Sequence, residues 1–221
     1  KVRLGIDQAC QKSGRDPSTV QLLAVSKTRS VDEIMAAAQA GQKSFGENYL
    51  QEAEDKIKAL TDLDLDWHFI GPIQSNKTRS IAEHFAWVHS VDRFKIAQRL
   101  SSQRPHYAAD LNICIQVNIS GEESKSGCTL EALPDLVKAI SALPKIKLRG
   151  LMAIPEATDN RDLLRQRFAA VRNLMEELKA LAPEMDTLSM GMSDDLDVAI
   201  AEGATIVRVG TAIFGPRPPQ T

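Results

Sequence analysis

A chain of 221 residues that is 43% hydrophobic and 25% charged, with a net charge of −2, has the composition of an ordinary globular protein and no general attraction for nucleic acid or anionic membranes. No apolar run approaches the roughly 20 residues of a membrane span, and no secretory signal is visible. Cys10, Cys114 and Cys128 are odd in number and lack close pair spacing, which argues against a disulfide framework or a zinc site and for a reducing, cytoplasmic compartment.

Residues 1–15 carry Val2, Leu4, Ile6, Ala9 and Cys10 at helical spacing, a helix expected to end near Gly14 and to cover one end of the core. Residues upstream of it are expected, since the chain starts at Lys1 rather than Met. Residues 20–30, VQLLAVSKTRS, then place a continuous apolar run, the pattern of a strand buried on both faces, directly ahead of Lys27. Helical spacing returns over 31–41, with Asp32 and Glu33 in the first turn and Gly41 as the C-cap. The same order repeats: strand 43–48 and helix 49–60; strand 66–72 and helix 76–85; strand 87–91 and helix 92–103. Residues 111–119, LNICIQVNI, are the clearest strand, followed by a polar loop over 120–128 and a helix over 130–143. Strand 146–154 precedes helix 161–181, strand 187–191 precedes helix 194–203, and 205–214 is an eighth strand with PRPPQT as a tail.

Strict alternation of strand and helix implies a parallel sheet, and eight repeats select a closed (β/α)8 barrel of the TIM type over an open doubly wound sheet. The chain lies near the small end for that fold. No composition break or long linker divides it, so 1–221 reads as a single domain with an extra N-terminal helix.

Barrel sites lie at the C-terminal ends of strands, often with a phosphate site after strands seven and eight. Residues 189–195, SMGMSDD, bring Gly191 and Ser193 to a helix start, and Gly210 and Thr211 follow the eighth strand. Both offer amides and hydroxyls to an anion, although each alone is also an ordinary turn or cap. Arg208 interrupts an apolar strand and shares a face with Ile206 and Gly210; it points into the barrel with a partner, or snorkels outward. Lys27 alone reads as a solvated loop lysine. Together, a lysine, an arginine and a phosphate cradle suit a flat phosphorylated carbonyl compound such as pyridoxal 5′-phosphate (PLP), with the lysine forming a Schiff base and its pKa lowered by partial burial and nearby positive charge.

LLAVSKT around Lys27, FGENYLQE from Phe45, WHFIGPIQSNK from Trp67, LRGLMAI from Leu148, SMGMSDDLDVAI from Ser189 and VRVGTAIFG from Val207 carry a resemblance over nearly the whole chain. In these segments the chain resembles the pyridoxal phosphate homeostasis protein family. The resemblance implies a barrel like the N-terminal domain of alanine racemase (PLP fold type III), with PLP on Lys27. It also implies phosphate contacts at Gly191, Ser193, Gly210 and Thr211, and Arg208 near the pyridine nitrogen. Asn48, His68 and Met152 fall at expected strand ends inside the matching motifs and complete the cofactor-binding set.

The expected function is a PLP-binding protein of intracellular vitamin B6 balance and amino-acid balance, without strong catalysis, handing PLP to apo-enzymes and existing as a monomer. The rivals are an amino-acid racemase and a Schiff-base aldolase for a phosphorylated sugar. Two-base racemisation needs a second acid–base group, a tyrosine in alanine racemases, supplied by an additional β domain; here only Tyr49 and Tyr107 exist, in no segment matching that domain. The four histidines lack metal-ligand spacing; His84 and His89 read as surface residues. The basic loop 76–79 reads as solvated, and Lys125 as a loop lysine or a secondary PLP site.

Overall fold

The computed structural model describes residues 1–123, 125–217 and 219. Eight parallel strands close into a barrel in chain order: β1 (Gln21–Val25), β2 (Ser44–Glu47), β3 (Asp66–Phe69), β4 (Trp87–Val91), β5 (Leu111–Gln116), β6 (Ile146–Met152), β7 (Thr187–Ser189) and β8 (Ile206–Val209). Closure pairs Leu23 of β1 with Arg208 of β8 and Ala24 with Val209. Helices alternate with the strands: α1 (Val2–Lys12) ahead of β1, then α2 (Val31–Gln39), α3 (Leu50–Ala59), α4 (Thr78–His84), α5 (Phe94–Gln103), α6 (Leu133–Ser141), α7 (Arg161–Leu178), α8 (Leu196–Ala201) and α9 (Thr211–Phe214). No helix among the described residues is long and apolar enough to cross a membrane.

The strands are short and apolar because helices cover their outer face while side chains fill the interior. Phe45, Leu23, Ile113 and Ile115 are fully buried, and Ile34, Ile81, Leu133 and Phe168 close the layer from the helices; each such side chain contributes about 1.5–3 kcal/mol on burial. A capping box of Ser30 and Glu33 starts α2 in the first turn where acidic residues are expected. The helix ends at Gln39, and Gly41 follows its Ala40 cap with φ +99.

The N-terminal helix packs against α8, and Arg15 Nη1 donates to the carbonyls of Ile200 and Ala204 at that helix's C-terminus. One expected boundary needs correction. The eighth strand stops at Val209, and Thr211–Phe214 is a helical turn: Gly210 leaves the extended conformation (φ −114, ψ −73) and its carbonyl accepts from the Ile213 and Phe214 amides. Arg29 donates to the carbonyls of Phe214, Gly215 and Pro216, which holds the chain against the barrel mouth up to the start of the PRPPQT segment. Of PRPPQT, Pro218, Gln220 and Thr221 lie outside the described residues, as does Ser124 in the 120–128 loop.

Candidate functional site

A cavity of about 240 Å³ opens at the C-terminal ends of the strands, the position at which barrel chemistry is placed. Val25 and Arg208 line it from within β1 and β8, and other contributors follow strands: Lys27 after β1, Asn48 after β2, Ile70 after β3, Ile154 after β6, Met192 to Asp194 after β7, and Gly210 and Thr211 after β8. Six of the nine expected site residues, Lys27, Asn48, Ser193, Arg208, Gly210 and Thr211, therefore meet at one opening.

Lys27 is half-buried. Burial, and then the nearby Arg217 charge, hold its amine below the ordinary lysine value, so a larger fraction is neutral and nucleophilic near pH 7. Asn48 Oδ1 is buried without a hydrogen-bond partner among the described residues; an acceptor left that way costs about 1–3 kcal/mol, which a ligand donor would recover.

Arg208 faces inward and is 5% exposed. Its Nη2 donates to Ala153 O at 3.1 Å and its Nη1 to Ser189 Oγ at 2.7 Å. Ser189 Oγ in turn lies 2.7 Å from His89 Nδ1, a contact that crosses the barrel interior from β7 to β4, and His89 Nε2 lies 2.8 Å from His68 Nδ1. A guanidinium only donates, so Ser189 Oγ accepts from it and has its own proton free for His89. Burial pushes His68 down to about 3 and His89 well below its ordinary range, and both rings are neutral at neutral pH. Arg208 is held at about 10 by burial, partly offset by Asp195, and keeps its charge.

The remaining expected residues stand behind the wall. His68 is fully buried, the far end of the chain that begins at Arg208, and stacks on Trp87. Met152 is 1% exposed beside Ser189 in the β6–β7 register. Gly191 is buried with φ +99, and a Cβ there would lie 2.6 Å from Ala199 Cβ; it lets α8 pack closely rather than reaching the cavity.

The helix-end contribution expected after the seventh strand is also smaller than anticipated. The helix starts at Leu196, is one and a half turns long, and opens among Asp194, Asp195 and Asp197, whose charges oppose an anion there. Asp195 Oδ1 already accepts from the Met192 amide at 2.7 Å. What favours an anion is the set of charges: among the described residues, Lys27, Arg29, Arg208 and Arg217 line the cavity against the single carboxylate of Asp194.

Sequence reasoning missed Arg29, Arg217, Ile154, Met192 and the Ser189–His89 pair. His89 was expected at the surface and is fully buried; its strand is covered on both faces, and its polar atoms are satisfied by partners from β3 and β7. Lys77 and Arg79 are exposed as expected, and Lys125 is exposed and away from the cavity lining.

The family model described as the N-terminal domain of alanine racemase matches residues 6–218. A pyridoxal phosphate homeostasis protein of Pseudomonas aeruginosa is 61% identical over 217 residues, covering 98% of this chain and 93% of that protein. PipY of Synechococcus elongatus, in a structure with PLP bound, superposes with a TM-score of 0.84 at 39% identity, covering 95% of this chain and 99% of that one. The alanine racemase of Corynebacterium glutamicum is 17% identical with a TM-score of 0.69, over 98% of this chain and 60% of that one, a likeness of fold alone.

Proposed function

The chain belongs to the pyridoxal phosphate homeostasis protein family, and from that premise we propose that it binds PLP in the cavity at the barrel mouth, held on Lys27 as a Schiff base. PLP supplies an aldehyde, whose carbon takes the Lys27 nitrogen as a C=N bond with loss of water. Ser193, Thr211 and the amides at the start of α9 hold the phosphate in the field of Lys27, Arg29 and Arg217. Arg208 faces the pyridine nitrogen, and Asn48 closes the wall between them. The observation that carries this reading is the meeting of a half-buried lysine, a buried inward arginine and hydroxyl donors in one cavity with an excess of cations.

The protein serves in this reading to hold and release PLP for apo-enzymes and to keep amino-acid pools in balance, not to turn over amino acids. PLP enzymes that need an electron sink set an acid against the ring nitrogen. A charged guanidinium, fixed by Ala153 O and Ser189 Oγ, disfavours a further positive charge there. Neither Tyr49 nor Tyr107 lines the cavity, so no observation favours the racemase reading.

Spectra of the purified protein with PLP, before and after borohydride, with peptide mapping of the reduced adduct, test this. The expected result is a visible band, a single major adduct on Lys27, and racemisation and transamination near background. A major adduct on Lys125 or Lys77, or robust turnover after contaminating enzymes are removed, overturns it.

A pH profile of PLP capture gives a further expectation. The neutral amine attacks, so the rate rises with pH and levels off above the Lys27 pKa, which lies below that of an ordinary lysine. Arg217→Gln removes a positive charge from beside the amine and therefore moves the whole profile to higher pH. An unmoved profile would assign the low value to burial alone.

A further inference from the structure

Lys27 sits in a loop, yet the backbone on both sides of it is tied to one buried ionic cluster outside the cavity. Lys56 of α3 is 4% exposed and Glu47, the last residue of β2, is fully buried. Lys56 Nζ donates to Ser26 O at 2.7 Å, to Glu47 Oε1 at 2.6 Å and to Glu52 Oε1 at 2.6 Å, which uses all three of its protons. Glu52 Oε1 also accepts from the Thr28 amide at 2.6 Å. Ser26 and Thr28 flank Lys27, so a single ammonium and the carboxylate it holds grip the residue before and the residue after. Thr28 has φ +63, a left-handed conformation that costs a β-branched residue about 1–3 kcal/mol and persists only where surrounding contacts impose it.

Burying such a cluster brings little net stability, because desolvation offsets the attraction. None of Glu47, Glu52 and Lys56 lines the cavity. We propose that Lys56, with Glu47 and Glu52, is a positioning device that fixes the Ser26–Thr28 backbone so that the Lys27 amine faces the cavity. The proposal rests on Lys27 being the PLP anchor. Its consequence is a division of labour: the cluster sets covalent capture, while the loops after β7 and β8 set recognition of the phosphate.

Lys56→Met keeps the volume and removes the charge. Burial already raises the Glu47 carboxyl to about 7, and without Lys56 that group takes a proton instead of remaining an unpaired charge. Two readouts separate positioning from general damage: the rate of borohydride-trappable PLP capture, and equilibrium binding of pyridoxine 5′-phosphate, which has the ring and phosphate but no aldehyde. For Lys56→Met the expected capture rate falls by about tenfold to a hundredfold, the loss typical of a reacting group misplaced by about 1 Å, with pyridoxine 5′-phosphate binding unchanged. Glu52→Gln, at a partly exposed position, is expected to fold normally and to lose capture in the same selective way, to a smaller extent; it decides the matter if Lys56→Met does not fold. Wild-type capture in a folded variant, or equal losses of capture and of pyridoxine 5′-phosphate binding, overturns the positioning role. Lys27→Ala in the same assay keeps the two questions apart: an adduct that survives in it overturns the anchor assignment and the clamp together, whereas loss of the adduct there with unaffected capture in Lys56→Met overturns the clamp alone.

Discussion

Lys27→Ala is expected to abolish the visible band and the borohydride-fixed adduct while leaving the barrel folded. Lys27 lies beyond the last paired residue of β1 and is half-buried at the cavity wall, so its truncation removes a nucleophile without opening the core. The neighbouring cations do not replace it. Arg29 is committed to three carbonyls, the guanidinium groups of Arg208 and Arg217 are donors and no nucleophiles, and Lys56 has all three protons engaged away from the cavity. The variant should still bind PLP through its phosphate, reversibly and more than about tenfold more weakly, a difference of at least ~1.4 kcal/mol. Absorption spectroscopy with PLP titration and mass mapping after reduction check this. A full-strength band in the variant would remove Lys27 from the mechanism.

The barrel was legible because its evidence is local and repeated: runs such as LLAV and NICIQV mark buried strands, and eight of them alternate with helical spacing. Boundaries failed where apolar character does not distinguish the two states. Ala212, Ile213 and Phe214 continue the apolar run of β8, yet beyond the turn at Gly210 they are helical. Lys27, Ser193, Gly210 and Thr211 were legible as strand-end residues with suitable chemistry. His89 was not, since its burial depends on Ser189, one hundred residues away, reaching across the barrel to it. Arg217 was hidden for the same reason: its place at the cavity follows from the Arg29 contacts to residues 214–216, a pairing that no spacing records. The role of Lys56 was likewise invisible, because a lysine four residues after a glutamate on a helix reads as a surface ion pair, whereas this one points inward to Glu47 and Ser26.

Ser193→Ala combined with Thr211→Val should weaken PLP far more than pyridoxal, which has the same ring and aldehyde without the phosphate. Ser193 is half-buried on the loop after β7 and Thr211 opens α9 after β8, so both hydroxyls line the one cavity in which the proposed site would hold the phosphate. Each hydrogen bond to a charged group contributes about 1.5–3 kcal/mol, and losing both costs about 3–6 kcal/mol, or ~10² to 10⁴ in affinity. Pyridoxal should lose little, because neither hydroxyl is needed for its aldehyde or its ring nitrogen. The short, carboxylate-flanked α8 has little helix-end charge to offer in compensation. The affinity that remains should come from Lys27, Arg29 and Arg217, and long-range attraction of that kind falls with ionic strength; the double variant should therefore bind PLP with a steeper salt dependence than the wild type. Parallel titrations of both ligands at low and high salt decide it, and equal losses for PLP and pyridoxal would place the phosphate elsewhere.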